Sequence, residues 1–124
     1  MTISAMDMIK EARSQIQCID LLEAKKLIKD NSATLLDVRE KVEFDAGHIT
    51  GAQHISRGVL EMMIENHPAF KDKNQTILIY CKTGGRSALA TATLKKMGFT
   101  SLFSMDGGFD SWSKYQIVPE GIKD

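Results

Sequence analysis

The sequence predicts an α/β protein with a mainly parallel central sheet and helices on both of its faces. Short apolar runs alternate five times with helix-like segments over short connections, which is the pattern of consecutive strand–helix units. The chain has 124 residues, the usual size of one domain. Hydrophobic residues make up 43% of it, enough for a core that needs neither disulfides nor a structural metal.

Five short apolar runs are the predicted strands. The runs ATLLDV and TILIY are nearly continuous in apolar residues, which is typical of strands buried on both faces of a parallel sheet. The run AQHIS is a weaker signal. In chain order, the predicted strands are 15–19, 33–38, 52–56, 76–80 and 101–105.

Amphipathic segments with recognisable ends are the predicted helices. Ser4 offers an N-cap to the first, and Asp20 with Glu23 forms a capping box for the second. Pro68 stops the fourth helix, and Gly98 follows the end of the fifth. The predicted helices are 4–14, 21–30, 39–47, 58–67, 86–97 and a last short one within 107–115. We expect the first helix to pack on the outside of the domain, with docking to a partner as the alternative.

The charge balance excludes several classes of partner. Sixteen Lys and Arg residues balance sixteen Asp and Glu residues, so neither nucleic acid nor a membrane surface is expected as a partner. No apolar stretch approaches the roughly 18 residues of a membrane span. Charged residues interrupt the apolar N-terminal segment, which argues against a signal peptide. We therefore predict a cytoplasmic protein, whose reducing surroundings keep a thiol usable.

Cys81 lies where parallel sheets place their functional sites. It follows the apolar strand 76–80 directly, and sites in such folds lie beyond the carboxyl ends of the strands. Gly84 and Gly85 allow successive backbone N–H groups to turn towards one point. The helix that follows presents its unpaired N-terminal amides to the same point.

Two cations complete this loop. Lys82 and Arg86 place positive charge near the sulfur, and the segment 81–90 contains no acidic residue. Positive charge and oriented amides favour a thiolate, which is the nucleophilic form of cysteine. These features predict that Cys81 is a nucleophile, although a lone buried cysteine is more often inert.

The other residues of chemical interest fit structural roles better. Cys18 lies in an apolar strand pattern, so we expect it to pack in the core. Asp37 and Arg39 predict a structural ion pair at a strand end. The histidines at 48, 54 and 67 do not show metal-ligand spacing, and we predict neither a metal nor a cofactor. A Cys–His couple stays open as an alternative, because such partners need only be close in space.

Three blocks of the sequence resemble a known family. In order and spacing, they are similar to the signature blocks of single-domain rhodanese-like sulfurtransferases: LLDVREKVEFDAGHITGA (35–52), CKTGGRSALA (81–90) and MDGGFDSW (105–112). The resemblance implies a five-stranded parallel sheet. It leads us to assign residues 1–15 to an N-terminal helical extension and residues 16–120 to the rhodanese-like domain.

The resemblance also implies the residues of the site. Cys81 matches the cysteine that takes up sulfane sulfur as a persulfide. Asp37 and Arg39 match a block that supports the site, and Gly107 and Gly108 match the turn after the last strand. The implied loop around the transferred sulfur consists of Lys82, Thr83, Gly84, Gly85, Arg86 and Ser87.

The implied activity is a two-step sulfur transfer. The thiolate takes sulfur from thiosulfate or a related sulfane donor and passes it to cyanide, a thiol or a partner protein's cysteine. A sulfur carrier or interaction module with incidental turnover is one alternative. Phosphatase or arsenate-reductase chemistry is another, but those enzymes place five residues between cysteine and arginine. Only four separate Cys81 from Arg86, which favours a single sulfur atom over a phosphate group.

Overall fold

A computed structural model describes residues 2–116 and shows one five-stranded sheet in the order β1–β5–β4–β2–β3. All four neighbouring pairs are parallel, which confirms the predicted α/β class. The strands are β1 (Cys18–Ile19), β2 (Thr34–Asp37), β3 (Gln53–His54), β4 (Thr76–Tyr80) and β5 (Ser101–Met105). The helices are α1 (Ala5–Ser14), α2 (Leu21–Lys29), α3 (Lys41–Ala46), α4 (Leu60–Ile64), α5 (Gly85–Lys96) and α6 (Gly108–Gln116).

Alternate residues of the central strand β4 enter two different hydrophobic clusters. Ile77 and Ile79 pack with side chains of α4 and α5. Leu78 and Tyr80 point to the other face and pack with side chains of α2 and α6. Because side chains alternate across a strand, these two clusters place helices on both faces of the sheet, as the sequence predicts.

The inner strands β4 and β5 have the predicted bounds, β2 is one residue shorter at each end than the predicted 33–38, and the edge strands are shorter still. Strands β4 and β5 cover residues 76–80 and 101–105 as expected. The predicted strands 15–19 and 52–56 shorten to the two-residue strands β1 and β3, which form the edges of the sheet. An edge strand has a hydrogen-bonded neighbour on one side only, and short edges also discourage pairing with other chains.

The predicted helix 58–67 is the least accurate element. A 3₁₀ turn (Arg57–Val59) precedes α4, which ends at Ile64, and a second 3₁₀ turn (Pro68–Phe70) follows. The ring of His67 accepts a hydrogen bond from the Ala69 N–H at 3.1 Å. His67 therefore begins the second turn instead of ending the helix.

Helix α1 packs on α5, on the outside of the sheet, as predicted. The Asp7 N–H donates to Ser4 Oγ at 3.0 Å, and the Ser4 N–H donates to Asp7 Oδ2 at 3.2 Å, so Ser4 caps the helix. Lys95 near the end of α5 donates to the Gln15 carbonyl at 2.7 Å. The domain boundary between residues 15 and 16 stays a prediction, and residues 117–120 of the predicted domain lie outside the described residues.

Within residues 2–116, none of the helices combines the length and the apolar character that a membrane crossing requires.

Candidate active site

The thiol of Cys81 is buried and lies among backbone amides. Its side chain is 1% exposed. Sγ accepts hydrogen bonds from the Gly84 N–H at 3.1 Å and the Ser87 N–H at 3.3 Å. The hydroxyl of Ser87 lies 3.6 Å from Sγ. Donors of this kind stabilise negative charge on the sulfur.

Two of the six predicted loop residues thus contact the sulfur by hydrogen bonds. The other four, Lys82, Thr83, Gly85 and Arg86, continue the loop, and within residues 2–116 no further hydrogen bond to Sγ is present. The amides at the start of α5 have no acceptor within their own helix. They can therefore donate to an acceptor at the start of the helix.

The two adjacent glycines of the loop are required for different reasons. Gly84 has φ of +126°, a conformation that residues with a side chain rarely adopt. This conformation turns its N–H towards Cys81. A Cβ on Gly85 would lie 3.0 Å from Ile9 Cδ1, so the second glycine admits the close approach of α1.

The first turn of α6 holds the backbone of Cys81. The Phe109 N–H donates to the Cys81 carbonyl at 2.8 Å, and the Asp110 N–H donates to the Lys82 carbonyl at 3.0 Å. A Cβ on Gly108 would lie only 2.5 Å from the Cys81 carbonyl oxygen. Gly108 therefore has to be glycine for the two segments to meet.

The ion pair predicted between Asp37 and Arg39 is confirmed. Arg39 Nη2 lies 2.8 Å from Asp37 Oδ2, and both side chains are almost fully buried. The same nitrogen donates to the Gly47 carbonyl at 2.7 Å. The guanidinium lies 4.4 Å from the centre of the Phe109 ring. Through Phe109, this pair supports the segment that holds the Cys81 backbone.

Both cations of the loop are paired with carboxylates from other elements. Arg86 binds Glu43 of α3 through two hydrogen bonds, at 2.7 and 3.1 Å. Lys82 Nζ lies 3.6 Å from Asp110 Oδ2 of α6. The hydrogen bonds from Arg86 lower the pKa of Glu43 to about 2, and Glu43 in turn raises the pKa of Arg86.

These acids are the main feature that the sequence analysis missed. Segment 81–90 contains no acid, but the fold brings Glu43 and Asp110 to it from other elements. A third pair joins Arg13 of α1 to Asp106, at 2.8 Å. Of these acids, Asp106 carries a usable sequence signal, because it directly follows β5 at the carboxyl edge of the sheet.

A buried serine pair lies behind the sulfur. Ser87 Oγ and Ser104 Oγ are 2.9 Å apart, and both side chains are fully buried. Ser104 was not predicted as part of the site. The sequence does carry an indication of its role, because Ser104 is a polar residue inside the apolar strand SLFSM, and a buried hydroxyl needs a hydrogen-bond partner.

Cys18 has different surroundings. It is half-buried and lies beside Ser104, its register partner on the neighbouring strand β5. Burial raises the pKa of the Cys18 thiol, the nearby Arg13 opposes this rise, and Asp106 adds to it. The expected packing in the core is therefore only partial.

The three histidines make local hydrogen bonds. His48 and His54 bind the carbonyls of Phe44 and Arg39, at 2.8 and 2.7 Å, and His67 caps the turn described above. Within the described residues, no histidine hydrogen-bonds to Cys81. The alternative of a Cys–His couple thus lacks the contact that it requires.

A shallow cleft of about 240 Å³ lies beside the loop. Its charged residues are Arg39, Glu43, Lys82 and Asp110, and Phe109 and Ala46 contribute apolar surface. The cleft therefore combines charged and apolar groups next to the residue that follows Cys81.

Comparison with protein families identifies a rhodanese-like domain over residues 20–115. The chain is 35% identical over 99 residues to the thiosulfate sulfurtransferase GlpE of Pseudomonas putida, which covers 80% of this chain and 86% of that protein. It is 41% identical over 88 residues to the probable adenylyltransferase/sulfurtransferase MoeZ of Mycobacterium tuberculosis. That match covers 71% of this chain, and the chain spans only 22% of the length of MoeZ.

Solved structures also match along most of the chain. A protein of unknown function from Rhodopseudomonas palustris, named as a possible tyrosine phosphatase, has a TM-score of 0.86 and 30% identity, with 94% and 93% of the two chains covered. The polysulfide-sulfur transferase homodimer of Wolinella succinogenes has a TM-score of 0.73 and 31% identity, with coverage of 87% and 80%. The family match spans most of the chain and contains the Cys81 loop, so the chain belongs to the rhodanese-like sulfurtransferase family.

Proposed function

We propose that the protein transfers sulfane sulfur through a persulfide on Cys81. The observation that carries this proposal is the position of Sγ, which is buried at the end of β4 and accepts two backbone hydrogen bonds at 3.1 and 3.3 Å. Oriented amides stabilise an anionic sulfur without a neighbouring base. The donor is thiosulfate or a related sulfane compound, and the acceptor is cyanide, a thiol or a protein cysteine.

The first step loads the cysteine. The Cys81 thiolate attacks the outer sulfur of the donor, a new S–S bond forms, and the S–S bond of the donor breaks. The electron pair of the broken bond leaves with sulfite when the donor is thiosulfate, or with a thiolate when it is a persulfide. In both reactions the protein gains one sulfur atom and needs no external oxidant or reductant.

The second step removes the sulfur from the Cys81 persulfide. The acceptor attacks the outer sulfur of the persulfide, and the Cys81 thiolate is the leaving group. With cyanide, the product is thiocyanate. We assign the amides of Gly84, Gly85, Arg86 and Ser87 to stabilisation of the charge on the sulfur atoms, and Lys82 and Thr83 to the rim of the site.

We assign Arg86 mainly to loop geometry. Because Glu43 binds its guanidinium through two hydrogen bonds, its charge is largely compensated and its side chain is fixed at the start of α5. We expect Arg86→Ala to slow sulfur loading more than Lys82→Ala does, since the Lys82–Asp110 contact is longer and more exposed.

Two relatives support sulfur transfer in different ways. GlpE is a thiosulfate sulfurtransferase, and the Wolinella protein is a polysulfide-sulfur transferase. A sulfur carrier with incidental turnover stays the alternative within this chemistry. It predicts that Cys81 loads readily but passes its sulfur to cyanide very slowly.

Phosphatase chemistry is a second candidate because of the name of the Rhodopseudomonas structure. Two features weigh against it in this chain. Four residues, not five, separate Cys81 from Arg86, and the guanidinium that would bind a phosphate group is already bound to Glu43.

Turnover of two substrates distinguishes these candidates. We expect thiocyanate formation from a sulfane donor and cyanide with ping-pong kinetics, and no hydrolysis of an aryl phosphate above the level of Cys81→Ser. Aryl phosphate hydrolysis that depends on Cys81, without sulfur transfer, would contradict the proposal.

A further inference from the structure

The charges around the loop bear on which donor the site accepts. Thiosulfate carries two negative charges, whereas alkyl persulfides and alkyl thiosulfonates carry at most one. A site selective for the dianion needs cations whose charge is not already compensated. Lys82 and Arg86, the two cations of the loop, do not meet this requirement.

Arg86 is compensated by Glu43. Both guanidinium–carboxylate hydrogen bonds are short, at 2.7 and 3.1 Å, and the two side chains are only 34% and 26% exposed. A paired, partly buried carboxylate of this kind keeps its charge at neutral pH, and the pKa of Glu43 is about 2. The loop therefore has a permanent negative charge beside its arginine.

Lys82 is compensated by Asp110. Their charged atoms are 3.6 Å apart, with both side chains about half exposed. Asp110 is also fixed through its backbone, because its N–H donates to the Lys82 carbonyl at 3.0 Å. This backbone bond holds the two residues side by side, so the carboxylate lies next to the lysine.

Both carboxylates line the cleft beside the loop. Glu43 and Asp110 contribute to its wall together with Phe109, Ala46 and Arg39. The charge of Arg39 is already compensated, because its guanidinium pairs with Asp37 at 2.8 Å. The cleft volume of about 240 Å³ suits a small organic group better than a large ligand. An alkyl group would cover the apolar part of the wall, whereas a sulfite group would bring a second negative charge towards two carboxylates.

We propose that Glu43 and Asp110 make this site select sulfane donors that carry a small organic group and at most one negative charge, over the thiosulfate dianion. The inference rests on the proposed sulfur transfer through Cys81. For a persulfide, the Cys81 thiolate takes the outer sulfur and an alkyl thiolate leaves. For a thiosulfonate, the same S–S exchange releases a sulfinate, so the atoms and charges balance in both reactions.

A matched pair of donors tests the proposal. Thiosulfate and methanethiosulfonate both deliver one sulfur atom by S–S cleavage, but methanethiosulfonate replaces one charged oxygen with a methyl group. Their intrinsic reactivities differ, so the informative quantity is the ratio of kcat/KM for thiosulfate to kcat/KM for methanethiosulfonate, compared between variants with cyanide as the acceptor.

The variants remove one carboxylate each. We expect Glu43→Gln and Asp110→Asn each to raise this ratio about three- to tenfold, as the loss of one charge repulsion near the site predicts. The matched control is Asp45→Asn, which neutralises an exposed carboxylate of α3 that pairs with Lys41, and we expect it to leave the ratio unchanged. If Glu43→Gln does not fold, Asp110→Asn alone decides, since its side chain is exposed.

The outcomes separate the two proposals. An unchanged or lowered ratio in the folded Glu43 and Asp110 variants, or an equal rise in the Asp45 control, overturns the donor selectivity and leaves the sulfur transfer intact. Wild-type protein that accepts sulfur from neither donor contradicts the proposed function itself.

Discussion

The two cysteines of this protein have opposite surroundings: Cys18 lies on the edge strand β1, and Cys81 follows the central strand β4. Cys81 is 1% exposed, and its sulfur accepts two backbone hydrogen bonds. Cys18 is more exposed, yet burial raises its pKa, and the carboxylate of Asp106 adds to this rise. Solvent exposure alone therefore does not identify the reactive thiol. We propose that the amides around Cys81 make it the sulfur carrier, because oriented dipoles replace the stabilisation that water would provide to an anion.

Replacing each cysteine with serine should produce the largest difference in the rate of sulfur transfer between two variants. We expect Cys81→Ser to lower the rate of sulfur transfer from methanethiosulfonate to cyanide by roughly 10³-fold or more, as removal of a nucleophile does. Cys18→Ser is the matched control and should retain the wild-type rate within about twofold, since the Gly84 and Ser87 amides donate to the sulfur of Cys81 and not to that of Cys18. A comparable loss of activity in both variants would contradict the assignment of Cys81 as the nucleophile.

An added methyl group should destabilise the protein more at the turn that holds Cys81 than at a turn with free space around it. Gly108→Ala places a methyl group 2.5 Å from the Cys81 carbonyl oxygen, and we expect it to lower the free energy of unfolding by about 3 kcal/mol. The control is Gly58→Ala, whose Cβ would meet no atom within 4 Å and should change stability by less than about 0.5 kcal/mol. Urea denaturation measures both values, and equal stabilities would show that the turn can move away from Cys81.

The Glu43–Arg86 pair should make a smaller, pH-dependent contribution. The folded-state pKa of Glu43 is lowered from 4.5 to about 2. The ion pair therefore contributes its full stability at pH values above the unfolded-state pKa of Glu43. This contribution is lost as the pH falls from about 4.5 towards about 2.

Glu43→Gln should therefore be less stable than the wild type at neutral pH, and this difference should shrink as the pH falls through that window. Urea denaturation at several pH values measures it. A stability difference between the two proteins that stays constant over the window would contradict the assigned pairing.

The fold was predictable where burial determines the local pattern. β4 and β5 have the predicted bounds because they lie inside the sheet, where apolar side chains are required. The short edge strands β1 and β3 were overestimated, because pairing on one side depends on neighbours that local sequence does not reveal. The helix predicted over 58–67 was wrong in its extent, since His67 caps a separate turn.

The site was predictable in its loop and not in its charges. Cys81, its glycine pair and the following helix are consecutive in the chain, so their geometry follows from local rules. Glu43 lies 43 residues before Arg86, and only the packing of α3 brings the two together. The cytoplasmic location and the roles of the individual loop residues stay predictions.

The most direct test of sulfur transfer through Cys81 is the mass of the protein after incubation with an excess of thiosulfate or methanethiosulfonate. We predict the gain of one sulfur atom that a reductant removes, and peptide mapping should place it on Cys81 and not on Cys18. Sulfur on Cys18 alone, or an unmodified Cys81 under donor excess, would contradict the proposal that the amide-lined thiol carries the sulfur.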